Sequence, residues 1–229
     1  METAVTKTVP ILYFSDVLCV WAYIAHLRIE EIRSTYGDKV RFEPRFCSVF
    51  GDTAAKITNT WRGKGEYEGF NAHLRHAAEA FPEIDLNPDI WRGVRPVSST
   101  GPHLFLKAAE LAERAGAFPE GVAAKAAWAM RRAFFKDARD IAQWDVQCDV
   151  GEQAELRIAP IVALIEDGRA FAALACDYHE ATVMGIQGSP SFVLNDGRQK
   201  LYGNVGFRII DANIQELLRE PQPDQASWC

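Results

Sequence analysis

The chain has no two cysteines close enough in sequence to work as a pair. Its five, Cys19, Cys47, Cys148, Cys176 and Cys229, are odd in number and widely spread. No pair has zinc-ligand or redox spacing, which fits a reducing cytoplasm with free, mostly buried thiols. Positive charge is also short, since 25 Lys and Arg against 31 Asp and Glu leave a net charge of −6. That balance argues against a nucleic-acid surface and gives no support for an anionic-membrane surface. Long apolar runs are missing too, so no transmembrane span is expected. Residues 1–8 hold Glu2 and Lys7 but no apolar core of a secretory signal, so the expected location is the cytoplasm.

What is present suits one large domain, or one domain carrying an insertion: 229 residues, 48% of them hydrophobic. Ile11 to Ser15 reads as a buried strand. Tyr23 to Tyr36 reads as a helix, with Ile24, Leu27, Ile29, Ile32 and Tyr36 as its apolar stripe and Gly37 as its stop. Val40 to Phe46 alternates as a strand, with Pro44 marking an edge or bend. The chain thus opens β-α-β.

From Gly51 to about Pro96 the pattern is irregular. Residues 60–65 read as a loop and Tyr67 to Phe81 as a helix. Ser98-Ser99-Thr100-Gly101-Pro102 reads as a helix start with a capping hydroxyl and an early proline. Leu104, Ala108, Leu111 and Ala115 are expected to form that helix's buried stripe, ended by Gly116. Gly121 to Phe135, Glu152 to Asp167 and Ala170 to Met184 read as three further helices, the first burying Ala123, Ala126, Met130 and Phe134. Then the pattern changes. Ser191 to Leu194 is a short strand, Asn195-Asp196-Gly197-Arg198 a hairpin turn, and Lys200 to Tyr202 the returning strand. Phe207 to Arg219 is a last amphipathic helix, and residues 221–229 are expected to be loose.

The order is that of an α/β thioredoxin fold, β-α-β … β-β-α, with a large all-helical insertion. Residues 1–50 and 185–220 are assigned to the thioredoxin-like part and 51–184 to the insertion.

The chemistry concentrates at Cys19-Val20-Trp21-Ala22, where the first strand turns into the first helix. A helix N-terminus favours a thiolate; Asp16, close in sequence, acts the other way. Ala22 stands where a dithiol enzyme carries its second cysteine. Three segments resemble the DsbA-like thioredoxin superfamily, in the branch that includes kappa-class glutathione transferases and 2-hydroxychromene-2-carboxylate isomerases. They are Tyr13 to Tyr23, Ala133 to Ile141, and Gly185-Ile186-Gln187-Gly188-Ser189-Pro190-Ser191-Phe192-Val193. Disulfide oxidases of that family carry Cys-Pro-x-Cys, and the transferases and isomerases carry Ser at the first position. Here those positions are Val20, Ala22 and Cys19. Relatives of the kappa type also hold glutathione with a Ser-Asp or Asn-Asp pair after the last strand; Gly203-Asn204-Val205-Gly206 has the Asn and no Asp.

The resemblance implies Cys19 as the catalytic residue, with Trp21, Ala22, Ser189, Pro190 and Asn204 around substrate or glutathione, and no metal. Glutathione is the candidate co-substrate, because Ala22 cannot resolve a mixed disulfide and an external thiol must. The primary reading is a monothiol thiol-disulfide oxidoreductase acting on small or protein mixed disulfides. The second is a glutathione-dependent transferase or isomerase with Trp21, Tyr23, Trp61 and Trp91 as an apolar wall. The third is a non-catalytic thioredoxin-like binding domain. A homodimer is left open.

The placement of Ser189-Pro190 before a strand favours a cis bond. Cys47 reads as core, Cys148 and Cys176 as helix packing, and Cys229 as part of the tail. His26 is one helical turn beyond Ala22; it reads first as a partly exposed helix histidine, with an approach to the site as the alternative. His73 and His76 have a metal-like spacing without a third ligand. His103 and His179 carry no signal, and Trp128 and Trp144 read as insertion core. Arg62, Lys64 and Arg92 read as solvent-facing loop charges.

Overall fold

The computed structural model describes residues 8–219. Cys229 and the segment 221–229 lie outside them. Strands β1 (Val9–Ser15), β2 (Val40–Phe46), β3 (Ser191–Leu194) and β4 (Gln199–Tyr202) form one sheet in the order β2-β1-β3-β4. β1 runs parallel to β2, with Ser15 opposite Phe46, and antiparallel to β3, with Phe14 opposite Ser191. The parallel pair needs a crossover, supplied by helix α1 (Val20–Tyr36).

Alternation along β1 sends Ile11 and Tyr13 to one face and Phe14 to the other. On the first face α1 and α9 (Phe207–Leu218) bury Ala25, Ile29, Ile32, Ile210 and Ile214. On the second, α8 (Arg169–Val183) brings Ala181 against Phe14, Cys47 and Val193. The remaining helices are α2 (Thr53–Trp61), α3 (Glu66–Ala78), α4 (Thr100–Arg114), α5 (Val122–Phe135), α6 (Trp144–Gln153) and α7 (Ile158–Glu166). They share one large apolar cluster with the start of α1, Val17 to Ile24. The fold is a thioredoxin-like α/β sheet with a helical insertion between β2 and β3.

Several elements differ from the sequence reading. Helix α2 occupies a stretch read as irregular and takes Thr60 and Trp61 from the expected loop. Only Thr53 and Ile57 are buried in it, too few for a visible period, and its start is fixed by Asp52 accepting from the Ala55 N–H at 2.9 Å. The single helix expected over 152–167 is two. They part where Glu155 takes φ +72° and Leu156 donates to the Gly151 carbonyl at 2.9 Å. Gly151 sits so close to Phe105 that a Cβ there would fall 2.7 Å from the ring.

The stripe of α4 is also rotated. Phe105, Ala108, Ala109 and Ala112 are buried, Leu104 and Leu111 only partly, and Ala115 is exposed. This helix packs against α5, α7 and α8 together, so no single amphipathic face describes it. Cys176 is exposed rather than packed, and Trp144 is exposed on one side with its ring edge-to-face with Phe105. Trp128 is half-buried at the edge of the insertion core and packs against it. It stacks on Tyr23 and His26 at the seam with α1, with ring centroids 5.0 and 3.7 Å away.

Tyr23 lies between Trp128 and Phe135, the second ring centroid 4.8 Å away. It joins the active-site helix to the insertion. Replacing Tyr23 by Ala is expected to cost about 3–5 kcal/mol, the range for truncating a buried aromatic. The denaturant midpoint checks this, with the slope unchanged.

Candidate active site

β1 ends at Ser15, and Asp16 to Leu18 carry the chain into α1. The Cys19 N–H donates to the Asp16 carbonyl at 3.1 Å, and the Cys19 carbonyl accepts from Ala22 and Tyr23, each at 3.1 Å. Cys19 is the N-cap residue, with extended backbone (φ −85°, ψ 118°). Its thiol does not cap the helix. Sγ instead donates to the Ser189 carbonyl at 3.1 Å, and the Ser189 hydroxyl accepts from the Asp16 N–H at 2.8 Å. The Ser189–Pro190 peptide is cis. The Pro190 carbonyl accepts from the Gly203 N–H at 2.8 Å, which places the loop 203–206 beside this turn. Cys19 and Ser189 are 6% and 8% exposed, so the thiol is closed off at rest.

Beneath this loop lies a fully buried carboxylate. Asp16 Oδ1 accepts from the Leu18 N–H at 2.9 Å. Oδ2 accepts from the Val49 N–H at 2.9 Å, the Phe50 N–H at 2.8 Å and the Ser99 hydroxyl at 2.8 Å. Ser99 thus spends its hydroxyl on Asp16 rather than on capping α4. The neighbouring Ser98 hydroxyl accepts from Thr100 N–H instead, at 3.0 Å. The next backbone donor in the loop, Val17 N–H, meets His103 Nε2 at 3.0 Å. A nitrogen that accepts carries no proton, so the His103 proton is on Nδ1, facing the Tyr178 hydroxyl at 2.9 Å. Phe46 stacks on the His103 ring with centroids 4.4 Å apart.

The electrostatics follow from burial. It pushes the Cys19 thiol up from its ordinary value, against the weaker pull of the Ser189 side chain and the Ala22 N–H, and the Asp16 charge adds to the rise. Helix-start stabilisation, expected from the sequence to acidify this thiol, is outweighed. Burial also raises the Asp16 carboxyl, while the Phe50, Leu18, Ser99 and Val49 donors draw it back. His103 is held well below its ordinary value by burial, then by the Arg131 and Lys107 charges, and is neutral. His26 is lowered to about 4, chiefly by burial.

Of the residues named from the sequence, Cys19, Ala22, Ser189 and Pro190 meet at this turn. Trp21 is half-buried against the insertion core, and Asn204 is exposed beside Gly203. The expected wall is divided. Trp91 is fully buried among Phe50, Phe70 and Phe134, and Trp61 packs on Phe70 and His73. His73, His76, Arg62, Lys64 and Arg92 are exposed, the last paired with Glu68 at 2.8 Å. Among the described residues no group of three or more His, Cys, Asp or Glu could hold a metal. The sequence reading passed over His103, Tyr178 and the role of Ser99. The residues that reveal them, Asp16 and Val17, are more than 80 positions away.

Two expectations follow. Asp16→Asn leaves N–H donors facing an amide that cannot accept from all of them. It should cost about 1–3 kcal/mol and lower the Cys19 thiol midpoint, read by unfolding and by pH-dependent alkylation. Both His26 and His103 have folded values below the ordinary one near 6.5, so the unfolded chain protonates first. Stability should therefore fall as pH drops from about 6.5 toward about 4, and fall less in His26→Gln.

Comparison with known proteins bears on the fold. Among solved structures, a probable DsbA oxidoreductase from Streptomyces coelicolor superposes with a TM-score of 0.72 at 19% identity, covering 96% of this chain and 94% of that one. The cytosolic disulfide reductase DsbM from Pseudomonas aeruginosa gives 0.66 at 20% identity, over 90% and 98%. A 2-hydroxychromene-2-carboxylate isomerase gives 0.61 at 15%, over 91% and 95%. At these identities the likeness is one of fold. No curated protein matches. A family model, the DSBA-like thioredoxin domain, matches residues 10–215, and the chain belongs to that family of thioredoxin-fold oxidoreductases.

Proposed function

We propose that this protein is a monothiol disulfide reductase that works through Cys19 with glutathione as the external thiol. The observation that carries the reading is the pairing of Cys19 Sγ with the Ser189 carbonyl at 3.1 Å, beside the cis Ser189–Pro190 bond, with Ala22 at the resolving position. One thiol at such a turn can exchange but cannot close its own disulfide.

Two exchanges complete a cycle. The Cys19 thiolate attacks the glutathione sulfur of a mixed disulfide RSSG and expels RS⁻, forming Cys19–S–S–G. A second glutathione thiolate then attacks the glutathione sulfur of that bond and releases Cys19. The net change is RSSG plus GSH to RSH plus GSSG. Taking the proton from Cys19 also frees the Ser189 carbonyl, which can then accept an N–H from an extended substrate. Direction follows from the thiol's surroundings. A strong oxidant of this fold is one whose reduced thiolate form is stabilised. Here burial disfavours the thiolate, which suits reduction in a reducing compartment. DsbM, described as a cytosolic disulfide reductase, has also been solved with GSH, at a TM-score of 0.64 to this chain.

One observation favours a second reading. A neutral Cys19 S–H is a donor, as would be needed to hold a glutathione thiolate in a transferase or isomerase. Ser could replace it there. The mixed disulfide of glutathione and 2-mercaptoethanol separates the two readings. Under the reductase reading Cys19→Ser abolishes turnover, and a glutathione adduct on Cys19 is found by mass spectrometry in wild type. Retained glutathione-dependent activity in Cys19→Ser would instead support the transferase or isomerase. Ala22→Cys should form an internal 19–22 disulfide and gain dithiol activity. Failure to form that bond would count against the placement of position 22.

A further inference from the structure

Arg131 is a buried cation with no counter-charge among the described residues. It is 7% exposed. One terminal nitrogen donates to the Ser15 hydroxyl at 2.8 Å and the other to the Ala127 carbonyl at 3.3 Å. Nε is buried with no partner, and among the described residues no carboxylate pairs with this guanidinium. The other buried cation, Lys107, is treated differently: it contacts both Glu110 at 2.7 Å and Asp177 at 2.6 Å. Leaving a guanidinium charge unpaired in a desolvated site is costly, and a paired, hydrogen-bonded partner removes most of that cost.

Arg131 lines a cleft of about 640 Å³ between the edge strand β2, helix α1 and helices α4 and α5. That volume is in the range of small-molecule sites. Around Arg131 the walls are Tyr13, Ala22, Ile29, Ala123, Ala127 and the Trp128–His26 stack. The acids that reach the cleft are engaged or peripheral. Glu43 pairs with Arg41 at 2.6 Å, Glu110 with Lys107, and Glu113 accepts from the Ala123 N–H at 2.7 Å. Glu120 is exposed at the rim. Ala22 faces this cleft, so the position of the missing second cysteine borders it, while Cys19 itself is not in its lining.

We propose that this cleft binds a small organic carboxylate with an apolar body, its carboxylate on Arg131 and its body against Trp128, His26 and the alanines of α5. A planar guanidinium has five N–H donors, of which Ser15 and Ala127 take two; a carboxylate matches that fork and would supply the charge that the described residues leave out. The flat walls suit an aromatic or short aliphatic body. The site is separate from the thiol, and nothing in its chemistry depends on Cys19.

Calorimetric titration with 4-phenylbutyrate and with its neutral amide tests this, in wild type and in Cys19→Ser. The acid is expected to bind at least tenfold more tightly than the amide, equally in both proteins, and glutathione should not displace it. Arg131→Gln should erase the preference for the acid. Because Arg131 also holds Ser15, that variant can lose its fold, so Ala127→Leu is the second probe. It keeps the guanidinium, fills the cleft, and should weaken the acid and the amide alike by tenfold or more. Equal binding of acid and amide, binding indifferent to Ala127→Leu, or displacement by glutathione would each overturn the proposal.

Discussion

One buried carboxylate organises the site. Asp16 accepts four hydrogen bonds from three separate segments: the loop before α1, the turn after β2, and the start of α4. Those segments belong to different layers of the molecule. Without a common acceptor their N–H groups would be buried unsatisfied, at about 1–3 kcal/mol each. The carboxylate therefore fixes where the insertion docks on the thioredoxin sheet, and with it the path of the backbone up to Cys19. It also adds to the rise that burial imposes on the thiol, because a negative group beneath a buried thiol opposes a second one.

The neighbouring interactions extend this logic. His103 is neutral, takes the Val17 N–H and hands its own proton to Tyr178, so a single chain of hydrogen bonds crosses from α1's loop to α4 and α8. Ser189 closes the loop from the other side by accepting from Asp16 N–H with its hydroxyl and from Cys19 with its carbonyl. The thiol thus sits in a frame held on both flanks. The frame is built to keep a neutral thiol in place, which differs from the thiolate cradle expected of a disulfide oxidase. That difference gives the proposed chemistry its reducing direction.

The elements of the thioredoxin part were legible because their patterns are local. The alternation of Val40 to Phe46, the period of α1 and the Asn-Asp-Gly turn each carry their own signal. The meeting of Cys19 with Ser189 was legible from motif placement. What stayed hidden was tertiary. Ser99 looks like a helix cap, and only the fold shows its hydroxyl turned to Asp16. His103 is one more polar residue in a helix start until Val17 arrives from 86 positions away. Arg131 carries no signal in the sequence, and only the fold shows it buried with no paired carboxylate among the described residues. Helix α4 defeated periodicity because it is buried against three helices, and the reading of one helix over 152–167 missed a break marked by the positive φ of Glu155 and the Leu156 N–H bond to Gly151.

The central claim is that Cys19 is held as a neutral thiol by burial, the Ser189 carbonyl and the charge of Asp16. The most direct measurement is the rate of Cys19 alkylation against pH, with Cys19→Ser as the blank for the other thiols. The account predicts a midpoint above that of an ordinary thiol, about 8.5. A midpoint near or below about 7, in the range of a stabilised thiolate, would contradict it.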